Sequence, residues 1–178
     1  MAETVVPGTA VTGATGSSGS VVPALKRSAM KAVVLYESMT GNTRRAAELI
    51  GGSLAAAGDE VAVHSVNSFD FHELAVADVV FVGTWVDGLV LFGQKPGRAG
   101  RLRKLPVLDR KPVGVFCTYA INGGGALDKT AAILEAKGAF IAGRHQFRRD
   151  RLEQGVDAFV DVVRAQVSSW VPASSSPD

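Results

Sequence analysis

Five short apolar runs, separated by segments with helical spacing, place the strongest constraint on how this chain folds. The runs are nearly continuous in their apolar character, which is typical of parallel strands covered on both faces. The alternation of strands and helices predicts an α/β fold with a five-stranded, doubly wound parallel sheet. The predicted strands are KAVVLY (31–36), EVAVHSV (60–66), ADVVFVGTW (77–85), KPVGVFCTY (111–119) and AFIAGRHQF (139–147).

The segments between the runs supply the predicted helices and connections. A first helix follows residue 42 and stops near Gly58, and a second covers ALDKTAAILEAKG at 126–138. A closing helix is indicated by an apolar face at helical spacing, formed by Val156, Phe159, Val160, Val163 and Val167. Between the second and third strands we expect a loop that contains Phe69 and Phe71, and before the fourth strand a Gly- and Arg-rich connection.

The stretch YESMTGNTRR, residues 36–45, forms the turn between the first strand and the first helix. Backbone N–H groups at the start of a helix lack partners and carry the positive end of its dipole, so they favour an anion. Three hydroxyls and an amide would add donors, and Gly41 would let the backbone approach the ligand closely. The alternative is that one of these polar residues only caps the helix.

Composition excludes several classes of protein. At 178 residues and 47% hydrophobic content, the chain is long enough for one domain with a sizeable core. A net charge of +2 is too weak a bias to predict a nucleic-acid partner. No apolar stretch reaches the roughly 20 residues needed to span a bilayer. We find no secretory signal, so we expect a cytoplasmic protein without a membrane partner.

No metal site is predicted. Cys117 is the single cysteine, and His64, His72 and His145 are scattered without metal-ligand spacing. A lone cysteine also excludes an internal disulfide and fits a reducing compartment.

The chain divides near residue 30. Residues 1–29 are nearly free of charge and lack a sustained period, so we interpret them as a flexible extension or a docking peptide. Residues 30–172 form the predicted domain, and residues 173–178 a disordered tail. The extension contains VTGATGSSG (11–19), which has the glycine spacing of a dinucleotide-binding turn. Prolines on both sides remove the strand and helix that such a turn requires.

Polar and aromatic residues follow three of the predicted strands, at 38–43, 84–93 and 117–125, where open α/β sheets bind ligands. Here the chain resembles the flavodoxins. Residues 38–43 match their T/S-x-T-G-x-T phosphate loop, and GTWVDG (83–88) is similar to their second loop, whose aromatic residue stacks on the flavin. The resemblance covers about residues 31–170. It implies the flavodoxin-like strand order 2-1-3-4-5, and because no insertion splits the last strand, the short-chain type.

The resemblance also implies FMN as cofactor and assigns its contacts. Ser38, Thr40, Asn42 and Thr43 would hold the phosphate, Trp85 would cover one face of the isoalloxazine ring, and Tyr119 the other. No side chain is predicted to act as a catalytic acid, base or nucleophile. The full predicted set is Ser38, Met39, Thr40, Gly41, Asn42, Thr43, Thr84, Trp85, Val86, Asp87, Gly88, Thr118, Tyr119, Asn122 and Gly123.

Charge separates this chain from the flavodoxins that carry electrons, which are typically strongly acidic. Residues 95–111 contain seven basic residues and one acidic residue. This segment is either a solvated face or a rim that docks an anionic partner, such as a phosphorylated cofactor or an acidic protein surface.

Three functions follow from these observations. We prefer an FMN-binding redox protein that passes electrons to a partner protein over a stand-alone oxidoreductase. An FMN-dependent NAD(P)H or quinone reductase uses the same cradle, because the cofactor does the chemistry. A flavin-free module that kept the fold for protein interaction is the third.

Overall fold

A parallel sheet with helices on both faces organises residues 29–87 and 94–170, the parts of the chain that this computed structural model describes. Its strands are β1 (Lys31–Tyr36), β2 (Glu60–Ser65), β3 (Val79–Asp87), β4 (Lys95–Pro96), β5 (Pro112–Tyr119) and β6 (Phe140–Arg148). The long strands lie in the order β2-β1-β3-β5-β6, all parallel. Counted without the two-residue β4, this is the predicted order 2-1-3-4-5. β4 pairs antiparallel with the end of β3.

The described residues form five helices, four between strands and the last after β6: α1 (Asn42–Ala56), α2 (Phe71–Val76), α3 (Ala99–Leu102), α4 (Ala126–Glu135) and α5 (Val156–Ser169). The expected loop around Phe69 and Phe71 is wrong in part, because α2 begins at Phe71. The Asp70 carboxylate caps this helix by accepting the N–H groups of His72 and Glu73 at 2.6 and 3.2 Å. None of the helices described has the length and apolar character to cross a membrane. Residues 1–28 of the predicted extension, 171–172 of the predicted domain and the whole predicted tail lie outside the described residues.

The core has two layers, one on each face of the sheet. On one face α1 and α5 pack on the strands, with Ile50, Leu54 and Phe159 against Val34 and Phe81. On the other face α2, α3 and α4 contribute the buried side chains Leu74, Leu102 and Leu134. Because neighbouring residues of a strand point to opposite faces, strands this apolar fill both layers at once.

The two central strands interlock through glycine and phenylalanine. In the β3–β5 register Phe81 lies opposite Gly114, and Gly83 lies opposite Phe116. A Cβ atom on Gly114 would come within 2.7 Å of the Phe81 ring, and one on Gly83 would overlap the Phe116 ring. Each ring therefore occupies the space over the glycine of the facing strand.

His145 on β6 is half-buried among aromatic rings. Its ring centroid lies 4.4 Å from that of Phe147 and 5.6 Å from that of Phe159. Burial lowers the pKa of His145 below its usual 6.5, and a hydrogen bond to the backbone of Gln154 opposes the shift in part. The folded protein therefore holds this imidazole neutral at neutral pH.

We expect Gly83→Ala to lower the free energy of unfolding by about 1–3 kcal/mol, because the added methyl group overlaps the buried Phe116 ring. Urea denaturation measures this loss. Gly52→Ala on α1 is the matched control, since its Cβ would meet nothing within 4 Å. It should be neutral or stabilise the helix by about 0.5–1 kcal/mol. Equal effects of the two substitutions would contradict the interlock.

The lowered pKa of His145 predicts a pH dependence of stability. The unfolded chain binds a proton at about pH 6.5, whereas the folded protein binds it only at lower pH, so stability falls as the pH drops through about 6.5. The loss stops once the pH lies below the folded pKa. Urea midpoints measured across this range should fall less steeply for His145→Gln than for the exposed control His72→Gln. Identical slopes would show that His145 does not supply the effect.

Candidate functional site

The carboxyl ends of β1, β3 and β5 bring the three predicted segments side by side. β1 pairs with β3 and β3 with β5, so residues 38–43, 84–87 and 118–123 lie at the ends of adjacent strands. One hydrogen bond joins the first segment to the third, between the Thr43 and Thr118 hydroxyls at 2.8 Å. Both threonines are buried. The predicted site residues of these segments therefore lie at one edge of the sheet.

The first segment forms a tight loop before α1. The Gly41 N–H donates to Ser38 Oγ at 3.1 Å, and Asn42 Nδ2 donates to Thr40 Oγ1 at 3.1 Å. Because both hydroxyl oxygens accept from within the loop, each hydroxyl hydrogen is left to donate elsewhere. Thr40 and Met39 are exposed.

No side chain caps α1. The N-cap residue is Gly41, whose φ of 91° is left-handed and whose Cβ position is open space. The first turn of α1 also lacks an acidic residue. The alternative that a polar residue of the loop caps this helix is therefore wrong. The first N–H groups of α1, the positive end of its dipole and the loop hydroxyls together form a cradle of donors of the kind that favours an anion.

The second segment ends in a short antiparallel pairing of β3 with β4. Val86 and Asp87 pair with Pro96 and Lys95 of β4. The buried Thr84 hydroxyl donates to the Gly97 carbonyl at 2.8 Å, and the Gly97 N–H donates to the Trp85 carbonyl at 2.8 Å. Gly88, the last predicted residue of this segment, lies outside the described residues.

Trp85 is half-buried at the end of β3. Its ring lies so close to Gly97 that a Cβ there would overlap it. The Arg98 guanidinium carbon lies 5.7 Å from the ring centroid, a cation–π distance. Within the described part of the chain, the buried indole N–H has no hydrogen-bond partner. A buried donor of this kind points to a polar acceptor that the described residues do not supply.

The third segment is held by two glutamines. Gln94 Nε2 donates to the Asn122 carbonyl at 2.7 Å, and Gln146 Nε2 donates to the Gly124 carbonyl at 3.2 Å. A Cβ on Gly123 or Gly124 would overlap one of these amides. The Asn122 side chain accepts the Gly124 N–H at 2.9 Å, so it braces the loop. Sequence reasoning missed both glutamines, because neutral residues outside a motif carry no signal.

Tyr119 ends β5 half-buried, and its carbonyl accepts the Arg149 N–H at 2.9 Å. Cys117, two residues earlier, is buried, with its Sγ 3.6 Å from Thr130 Oγ1. Burial raises the pKa of the Cys117 thiol to about 11. The thiol is therefore protonated at neutral pH and is a poor nucleophile.

A buried carboxylate lies directly before the first loop. Glu37 is 2% exposed, and its Oε1 accepts from Arg98 and from Arg101, each at 3.0 Å. Its Oε2 accepts from Arg101 at 3.1 Å and from Asn67 at 3.4 Å. Arg98 and Arg101, two of the seven basic residues in 95–111, therefore form ion pairs with Glu37 inside the protein. The stretch at residues 36–45 contained a signal for this ion pair, because the Glu37 carboxylate at the end of a buried strand needs a cation.

Removing the charge of Glu37 should loosen this edge of the sheet. Glu37→Gln should lower the free energy of unfolding by about 1–3 kcal/mol, because two guanidinium groups lose a charged acceptor in a buried position. Urea denaturation measures the loss. Glu48→Gln removes the carboxylate of the exposed Arg44 pair and should cost less than about 1 kcal/mol. A Glu37 variant as stable as this control would contradict the role of the buried pair.

Comparison with known proteins agrees with this geometry. A family model described as a flavodoxin domain matches residues 33–141, more than half of the chain. No curated protein sequence matches the chain. An archaeal flavodoxin and the two-electron reduced flavodoxin of Megasphaera elsdenii are each 22% identical, with a TM-score of 0.59. Each match covers 77% of this chain, and 99% and 98% of the respective flavodoxin.

A larger protein contains the same fold. The rubredoxin oxygen:oxidoreductase of Desulfovibrio gigas is 20% identical over 77% of this chain and 37% of its own, with a TM-score of 0.57. At these identities the matched structures establish the shared fold.

Proposed function

Since the chain belongs to the flavodoxin domain family, whose cofactor is FMN, we propose that it carries electrons to a partner protein through non-covalently bound FMN. The observation that carries this proposal is the open cradle before α1. There a helix without a side-chain cap begins at a left-handed glycine, beside two hydroxyl groups with hydrogens left to donate. We further propose the reducing cytoplasm as its setting, in keeping with a single buried cysteine.

The phosphate end of the cofactor fits this cradle. The hydroxyls of Ser38 and Thr40, the amide of Asn42 and the first N–H groups of α1 would donate to phosphate oxygens. Thr43 has a different role, because its buried hydroxyl forms a hydrogen bond with the Thr118 hydroxyl. In this proposal Thr43 orients the loop against β5 and leaves the outer donors to hold the phosphate.

The ring end fits the second and third segments. Trp85 and Tyr119 offer aromatic surfaces at neighbouring strand ends, and the Trp85 N–H, which has no acceptor among the described residues, would supply a donor. The backbone at Asn122 and Gly123, braced by the two glutamines, would face the ring edge. When bound, FMN supplies the redox chemistry by accepting and releasing electrons on its isoalloxazine ring. The protein residues bind and orient the group and exclude water from one side of it.

An absorbance spectrum of the purified full chain tests the proposal. A yellow protein with a flavin spectrum supports it, whereas a chain that neither retains nor takes up added FMN is a flavin-free module. Rapid NAD(P)H oxidation by the loaded protein without a helper would instead indicate a stand-alone reductase.

Thr40→Ala should weaken FMN binding about tenfold or more, because one charge-assisted hydrogen bond to the phosphate is worth about 1.5–3 kcal/mol. Quenching of flavin fluorescence on titration with protein gives the dissociation constant. Ser168→Ala, on the exposed side of α5, is the control and should leave that constant unchanged. If the Thr40 variant binds FMN as the control does, the loop does not hold the phosphate.

A further inference from the structure

A groove of about 850 Å³ lies beside the candidate site, between the β4–α3 segment and α4. Of the described residues that line it, Asp87 is the only acidic one and five are cationic: Lys95, Arg98, Arg103, Lys129 and Lys137. We propose that this groove docks an acidic, partly apolar segment of a partner protein.

The charge of the groove is only partly compensated within the protein. Arg98 is paired with Glu37, and Lys129 Nζ donates to the Gln94 carbonyl at 2.6 Å. Across residues 29–87 and 94–170, the side chains of Lys95, Arg103 and Lys137 have neither a carboxylate partner nor a hydrogen bond. These three cations are therefore available to carboxylates of another chain.

The floor of the groove is apolar. Ala132 and Ile133 lie on α4 and Ala136 directly follows its last residue, and the two alanines are exposed. Lys129 precedes this strip on α4, and Lys137 follows it just beyond the end of the helix. The groove thus offers an apolar centre with cations at both ends. A segment that carries carboxylates around an apolar side complements it.

The geometry favours a protein segment over a small molecule. Small-molecule sites enclose their ligand and aim a few buried polar groups at it. In this groove Lys95, Arg103 and Lys129 are exposed, and the floor itself is open to solvent. An apolar centre with a charged rim is the anatomy of a protein–protein interface, where charge complementarity accelerates association.

The groove adjoins two loops of the candidate site. β4 forms part of its wall and pairs with the end of β3 directly after Trp85. Lys129 contacts Gln94, whose amide holds the Asn122 carbonyl of the third segment. An occupant would lie alongside the proposed flavin site. The identification of the occupant as the redox partner rests on the proposed function. The docking of an acidic segment in the groove does not depend on that function.

The test uses the full chain and a fluorescein-labelled peptide in which glutamates flank a stripe of leucines. Fluorescence anisotropy at low salt gives the dissociation constant. Replacing Lys95, Arg103 and Lys137 by Gln should weaken binding about tenfold or more, since three ionic contacts are lost. The matched control replaces Lys31, Arg110 and Arg151 by Gln. It changes the net charge equally outside the groove and should shift the constant less than about twofold.

Three results would overturn the proposal. Equal weakening by both triple variants would show attraction to net charge alone. Unchanged binding after the leucines are replaced by serine would show that the apolar floor is unused. ATP or NADPH that binds through the three groove cations while the peptide does not would make this a small-molecule site. FMN titration of the same proteins separates the two proposals, because a chain that docks the peptide but binds no FMN retains the groove and loses the proposed cofactor role.

Discussion

The buried carboxylate of Glu37 organises the edge of the sheet where the candidate site lies. A carboxylate without a cation could not be buried at the end of β1, so the chain must return Arg98 and Arg101 to it. The segment that carries these arginines also contains β4 and α3, and it places the Arg98 guanidinium over Trp85. Glu37, which directly precedes the first segment, therefore helps to hold the second segment in place.

Long-range polar contacts of this kind give the site a defined geometry before any ligand arrives. The Thr43–Thr118 hydrogen bond fixes the first loop to β5, and the amides of Gln94 and Gln146 fix the third loop. A loop residue keeps a precise position only when neighbouring side chains hold it through contacts of this kind. All three loops follow strands whose side chains are buried in both core layers, so the sheet supplies the rigid base.

The sequence predicted the sheet well, because each strand carries its own apolar signal. β1 occupies the predicted residues, and the other long strands differ by one or two residues at their ends. α2 escaped prediction because six residues show less than two turns of periodicity, and its start depends on the Asp70 cap. β4 and α3 were not predicted, because their segment is held by an ion pair between Arg98 and Glu37, which are about 60 positions apart in the sequence.

The parts of the candidate site that are formed by residues close together in the sequence could be predicted. The phosphate-loop residues and the strand-end aromatics lie together as the resemblance implied, although their contacts with FMN stay a prediction. Counting the basic residues of segment 95–111 could not predict what each of them does. Charge alone could not distinguish Arg98 and Arg101, which serve Glu37, from Lys95 and Arg103, which line the groove.

The reciprocal packing of Phe81 on Gly114 and Phe116 on Gly83 also constrains how this sequence can change over time. In each pair the two strands share one ring-sized volume, so a ring can change strands only if its partner shrinks in the same step. A single exchange passes through an overlap or a cavity, and both are selected against. The four positions are therefore expected to evolve as two linked pairs. A survey of single substitutions would therefore miss the coupling between the two positions of each pair.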